Sequence, residues 1–418
     1  MGNIATAVLL ALSIGNIRTD PVDLLDKIDE ARHKLRNERV QLIKGTIGMR
    51  RVRVGRRSYK QVPIIGIIAR EMAIAVMDSK GHIKIARALK SDAGLDVLTS
   101  GITLAVRRDN GINSDIAVIE PSGGKVLAVK YPVSNEGGRF GPGPDTIEAV
   151  YTPFSPEIRT DEVIARGIKV QAEFINRAYA RLKERRVESA AFPNQRVTDV
   201  IPRDVLTVLL MNEHIDPTMF KSPGMTKSLV EQVLTIIGTN GEKAYAYSIS
   251  PAGARGLVQM MPSTYARLAV KYPAAGLMPS FAMGVGDPVN AIMSQILLCD
   301  SDWDAIRTRT DIPAERVGPY LAAAYNGGVG RVLTILDYEK TEWMESPSLD
   351  TRPTKTVTRK VKVRVRSHGR VRTVYVTKRF SQPIFRSETS KYVNQYHWIN
   401  DFFAAKRAKQ PKPAPDHD

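Results

Sequence analysis

Residues 202–213 read PRDVLTVLLMNE, and the reading of this stretch decides how the rest of the chain is understood. Pro202 stands at a first-turn position, where its missing N–H costs nothing. Leu206, Leu209, Leu210 and Glu213 fall at offsets 0, 3, 4 and 7, so a carboxylate shares the face that the leucines bury. At the C-terminal end of a helix, apolar neighbours and the negative end of the dipole both disfavour ionisation. A carboxyl so placed stays protonated near neutral pH and can serve as a general acid. Taken alone, the same pattern also describes an ordinary glutamate in the last turn before His214 and the Asp216-Pro217 stop.

Upstream, residues 161–186 carry a helical period through Val163, Ile164, Ile168, Ala172, Ile175 and Leu182, so a helical region starts there. Residues 45–150 differ. Short β-rich runs at 62–68, 102–107, 115–119 and 126–133 alternate with DSKG, RDNG and PSGG turns. Before them, Leu24, Leu25, Ile28, Ala31 and Leu35 predict an amphipathic helix within residues 20–44, while GGRFGPGPD at 137–145 reads as a loop or linker. Residues 354–379, TKTVTRKVKVRVRSHGRVRTVYVTKR, alternate Val with Lys or Arg around a Ser-His-Gly turn, the pattern of a β-hairpin. The expected organisation is α+β and multidomain. It comprises an apolar segment and helix (1–44), a β-rich accessory domain (45–150), a connecting helix (151–194), a mainly α domain (195–403) with the basic hairpin inserted at 354–381, and a disordered tail (404–418).

The 418 residues suffice for two to four domains with cores of their own. With 43% hydrophobic and 25% charged residues the composition is that of a globular protein, and no apolar run is long enough to span a bilayer, which excludes a multi-span protein. Cys299, the single cysteine, excludes an intramolecular disulfide and a Cys-based zinc cluster, and reads as a small buried hydrophobe. Sixty-one Lys and Arg against 43 Asp and Glu give +18, which points to a polyanionic partner: nucleic acid, an anionic membrane surface or an acidic wall polymer. Ten of those cations, with no acid among them, lie in 354–379. The run IATAVLLALSIG at 4–15 has the length of a signal-sequence core but lacks a basic segment before it, and reads equally as an N-terminal helix or the remnant of an anchor.

Two further stretches, AYSISPAGARGLVQMMPSTY at 246–265 and LAAAYNGGVGRV at 321–332, resemble the soluble lytic transglycosylases and goose-type lysozymes. The family's Ser-x-x-Gly-Ala-x-Gly-Leu-Met-Gln-x-Met-Pro-x-Thr element is met by Ser250, Gly253, Ala254, Gly256, Leu257, Gln259, Met261, Pro262 and Thr264, with Val258 in place of Met. Its Ala-Tyr-Asn-Ala-Gly element is met by Ala324, Tyr325, Asn326 and Gly328, with Gly327 in place of Ala, and Glu388, Thr389, Tyr392 and Val393 match a Glu-Thr-x-x-Tyr-Val element. The resemblance covers roughly residues 195–403, half the chain, and implies a lysozyme-like catalytic domain. In the family the catalytic glutamate ends a helix as Glu-Ser about a dozen residues before Gly-Ala. Glu213 has the buried helical context but lies 40 residues before Gly253 and precedes His214; Glu242 has the separation but sits in a Thr-Asn-Gly turn beside Lys243. Glu213 is the favoured acid, Glu242 the fallback.

The resemblance implies cleavage of the β-1,4 bond between N-acetylmuramic acid and N-acetylglucosamine in peptidoglycan. One glutamate acts first as acid, then as base, and closes a 1,6-anhydro ring without metal or organic cofactor. Ser250, Gly256, Gln259, Met261, Tyr325, Asn326 and Tyr392 are the implied substrate-binding residues, amides and phenols giving both hydrogen bonds and flat apolar faces. The expected partners are glycan strands, with anionic envelope polymers or a membrane surface at the basic hairpin, and the expected location is the periplasm or cell envelope. The hairpin has few interleaved aromatics, so sequence-specific nucleic-acid binding is not expected. Two alternatives stand: a hydrolytic goose-type muramidase, and an inactive wall- or polyanion-binding assembly protein. Asp300, Asp302, Asp304 and Asp311 echo a calcium loop but have Ala305 where Gly is needed, and NGGVG lacks the Lys and Ser/Thr of a phosphate loop.

Overall fold

The computed structural model describes residues 23–337, 344, 354–367 and 370–408; the apolar run 4–15 and residues 409–418 of the expected tail lie outside these. Helix α1 (Leu24–Leu35) starts where the Asp23 carboxylate accepts from the amides of Leu25 and Asp26, at 2.9 and 3.3 Å. It is shorter than the segment predicted to run to 44. Its buried stripe of Leu24, Ile28, Ala31 and Leu35 finds only Glu38 and Arg39 at the next helical positions, and the chain turns into a strand instead.

The β region contains β1 (Gln41–Arg53), β2 (Tyr59–Met77), β3 (Ile83–Ser91), β4 (Gly94–Val97), β5 (Thr103–Arg108), β6 (Asp115–Glu120), β7 (Lys125–Ser134) and β8 (Thr146–Tyr151). One antiparallel sheet runs β4-β3-β2-β7-β8, β1 pairs with the N-terminal part of β2, and β5 and β6 form a separate pair. Along β2, Ala73, Ala75 and Met77 pack with Leu127 against α1, whereas Met72, Ile74 and Val76 join Val129 and Tyr131 in a core shared with the helices. This period of two means both faces are covered. The sequence boundary at 150 is therefore a change of residue pattern and not a break in packing, and β8 crosses it.

The helical body comprises α2 (Asp161–Glu184), α3 (Val197–Val200), α4 (Arg203–Asn212), α5 (Thr226–Asn240), α6 (Pro262–Lys271), α7 (Phe281–Gly286), α8 (Pro288–Arg307), α9 (Gly318–Gly327) and α10 (Val329–Asp337). Central to it is α8, buried from Pro288 to Trp303 and carrying Cys299. The segment expected to be a connecting helix is part of this body, because α2 packs on α5 at Gly167 and Gly238, where a Cβ on either would strike the other helix's backbone. After α10 come strands β9 (Thr354–Ser367) and β10 (Arg370–Pro383), paired antiparallel, and then α11 (Ser387–Ala408). This last helix runs five residues past 403 and packs on α4 and α9, so the helical body extends into the expected tail. Among the described residues no helix is long and apolar enough to cross a membrane.

Candidate active site

Leu206, Leu209 and Leu210 of α4 are fully buried, each contributing about 1.5–3 kcal/mol. They fix the helix so that Glu213, its C-terminal cap, reaches the floor of a cleft of about 620 Å³. Glu213 is half-buried, and its Oε1 accepts a hydrogen bond from the Tyr392 hydroxyl of α11 at 2.5 Å. The Asn212 side-chain amide donates to the Tyr392 carbonyl at 2.9 Å, tying the end of α4 to α11. Burial pushes the Glu213 carboxyl up to about 7, and the charge of Glu388 adds to this while the Tyr392 hydrogen bond opposes it. The group is thus poised between its acid and base forms near neutral pH.

A second carboxylate in the cleft is driven the other way. Burial works against the charge of Asp216, but two hydrogen bonds from Thr218 (2.7 and 2.8 Å) and the ion pair with Arg108 hold its carboxyl below the ordinary range. Glu213 and Asp216 therefore differ in protonation across the neutral range, the arrangement by which acid and base roles are separated. His214 is neutral: burial lowers it to about 4, and its Nε2 lies 2.7 Å from the Leu257 carbonyl. Its ring stacks on Tyr245 at 3.5 Å, with the planes 11° apart. It joins the end of α4 to the segment that carries Gln259.

Of the residues singled out from sequence, Glu213 and Gln259 line the cleft. Gln259 adopts φ +46°, and its amide donates to the Gly256 carbonyl (2.9 Å) and the Ser248 hydroxyl (3.2 Å). Gly256 at φ +73° backs onto the Val285 carbonyl, leaving no room for a Cβ. Tyr392 touches Glu213 directly, and the Tyr325 hydroxyl donates to the Val258 carbonyl. The other three stand further back. Ser250 closes the 250–254 turn through the Ala254 amide at 3.0 Å, Met261 caps α6, and the exposed Asn326 accepts from Thr389 at 2.8 Å. Glu242 is not in the cleft; it is exposed in a short turn after α5, 3.2 Å from Arg177. Of the 39 residues between Glu213 and Gly253, fifteen form α5, which supplies Leu229, Gln232 and Ile236 to the cleft.

Sequence reasoning missed the wall contributed by the β region. Arg108, the last residue of β5, and residues 110–113, in the connection to β6, border the same cleft as Glu213. Buried Lys90 sets the shape of this loop by donating to Asp109 (2.6 Å), Ser114 (2.8 Å) and the Gly111 carbonyl (3.2 Å). Tyr151, Tyr245 and Tyr247 complete the lining with aromatic surface. Only the RDNG turn marked this region, and nothing local in it indicates a neighbour about 100 residues away.

Among the described residues no group of three or more His, Cys, Asp or Glu converges as metal ligands would. Asp300 instead accepts from Ser189 (2.5 Å), the Ala190 amide (2.7 Å) and Tyr272 (2.8 Å), and Asp304 pairs with Lys271. Compared with models of protein families, with curated proteins and with solved structures, the chain matches none.

Proposed function

We propose that the protein is a lytic transglycosylase of peptidoglycan, acting at the cleft around Glu213 in an exported, envelope-facing setting. The observation that carries this reading is a carboxyl held at about 7 by burial, on the floor of an open cleft lined by tyrosines and amides. Such a group donates a proton to a glycosidic oxygen at neutral pH, and flat aromatic faces with amides suit sugar rings. The motif resemblance over residues 195–403 supplies the substrate class, the lysozyme-like character of the helical body and the choice of glycan strands as partner.

In the proposed reaction Glu213 protonates the oxygen linking N-acetylmuramic acid to N-acetylglucosamine as the C1–O4 bond breaks. The N-acetyl group of the muramic residue supports C1 while the leaving sugar departs. Glu213, now a carboxylate, takes the proton from the muramic residue's own C6 hydroxyl as its O6 bonds to its C1, which restores the acid and leaves a 1,6-anhydro end. No water is consumed. The Tyr392 hydroxyl steadies Glu213 in its ionised interval, and Gln259, its side-chain amide held by Gly256 and Ser248, lines the cleft beside it.

One observation favours a second reading, a hydrolytic muramidase. Asp216 stays ionised in the same cleft and could direct a water, although Arg108 and Thr218 already engage its oxygens. Following the clearing of a suspension of purified peptidoglycan at neutral pH tests the shared premise. Wild type should clear it, Glu213→Gln should be slower by at least about a hundredfold, and equal rates would remove Glu213 from the chemistry.

A further inference from the structure

The positive charge of this chain is concentrated in two places. Residues 44–68 hold seven Lys and Arg and no acid, and residues 354–379 hold ten and no acid, so all but one of the eighteen net charges lie there. Both stretches are two-stranded β arms. The first is β1 with the N-terminal part of β2, paired from Lys44↔Ile67 to Arg53↔Tyr59 with one register shift between Thr46 and Gly48, a reach of about 30 Å. Its Lys44 is engaged at the base with Glu136, and the six cations beyond have no acid on their arm. The second is β9 with β10.

Each arm also exposes large apolar side chains. Ile47, Met49 and Ile65 on the first are 57–59% exposed, and Val374, Val376 and Phe380 on the second 39–41%. On the second arm the register puts Val361 opposite Val376, Val363 opposite Val374 and Val357 opposite Phe380 on one face, together with Arg359 and Lys378, while Lys360, Lys362, Arg364 and Tyr375 belong to the other face. Like charges crowded on a narrow ribbon repel, and exposed aliphatic side chains gain nothing from water, so each feature alone is unfavourable. One surface satisfies both. Anionic headgroups neutralise the cations, and the acyl boundary beneath them takes up the aliphatic side chains. A single-stranded nucleic acid would call for stacking aromatics, and a duplex would answer the charge but leave the isoleucine and valine side chains in water.

We propose that the two arms are anchors that dock the protein on an anionic lipid bilayer, by a mechanism independent of the chemistry at Glu213. The test is flotation of the full chain with vesicles of phosphatidylcholine, or of phosphatidylcholine and phosphatidylglycerol in equal parts, with and without excess polyphosphate. Binding is expected to the anionic vesicles only. With about a fivefold loss for each cation near such a surface, Arg50→Gln/Arg57→Gln/Lys60→Gln should weaken it roughly a hundredfold, as should Lys360→Gln/Lys362→Gln/Arg364→Gln. Met49→Ser/Ile65→Ser and Val374→Ser/Phe380→Ser should weaken it with the charge intact; these positions are exposed, and an unchanged circular dichroism spectrum shows that the fold is kept. The proposal is overturned by equal binding to neutral vesicles, by no binding, or by binding that polyphosphate abolishes and the serine variants leave unaltered, which marks a polyanion site. Light scattering that shows self-association lost in the serine variants would assign the arms to a second copy and overturn it as well.

Discussion

Replacing Glu213 by Gln should make the protein more stable above neutral pH and leave its stability nearly unchanged in acid. Glu213 carries a carboxyl raised by burial from its ordinary 4.5 to about 7. The sign follows from linkage: the folded chain holds this proton more tightly than the unfolded chain, so the contribution to stability is fully present below 4.5 and is lost as the pH rises through 7. At about 1.4 kcal/mol for each tenfold in proton affinity, the ionised folded state is about 3 kcal/mol less favourable than the protonated one. Glutamine never ionises and can still accept the Tyr392 hydrogen bond. The difference between variant and wild type should therefore grow by about 3 kcal/mol between about pH 4 and about pH 8. In melting temperature that is roughly 6–12 °C for a unit the size of the helical body, followed by circular dichroism on both proteins across the pH series. A difference that stays constant with pH, or that grows toward acid, would refute the burial argument whatever the enzyme assays show.

Three other expectations rest on the same geometry. Cleavage of peptidoglycan should fall on the alkaline side with an apparent pKa near 7, and Tyr392→Phe, which removes a bond that favours the carboxylate, should move that limb upward by about one pH unit in rate–pH profiles. Leu209→Ala, at a fully buried position on the face that sets Glu213, should cost about 2–5 kcal/mol in urea unfolding, and a loss under about 1 kcal/mol would contradict the packing described. Gly256→Ala adds a Cβ against the Val285 carbonyl at φ +73°; loss of both melting temperature and cleavage is expected, and wild-type behaviour in both would show that the turn is not held as described.

What could be read from sequence was what local spacing controls. Glu213 was found because three leucines at helical offsets fix its face, and α2 because Val163, Ile164, Ile175 and Leu182 mark its buried side, although Ile168 and Ala172, read as part of that side, are exposed and Gly167 and Gln171 are buried in their place. The end of α1 was misjudged because the charged residues after Leu35 neither continue nor stop a helix, and its true stop is the pairing of β1 with β2. The strand β1 itself was missed because much of it lies in an arm without a buried face, so the alternation that marks a strand is faint. The loop 110–113 beside Glu213 was missed because its position is set by Lys90 and by packing across distant segments. The spacing between Glu213 and Gly253 needed the fold as well: α5, which lies between them, is a buried helix whose glycine contact with α2 no local pattern announces.

The central claim is that Glu213 cleaves glycan strands without admitting water, and mass spectrometry of the fragments released from purified peptidoglycan tests it most directly. Wild type should release disaccharide-peptides lighter by one water than hydrolysed ones, Glu242→Gln should release the same, and Glu213→Gln none. Fragments with reducing ends would make the activity hydrolytic, and release that survives Glu213→Gln but is lost in Glu242→Gln would contradict the account at its foundation.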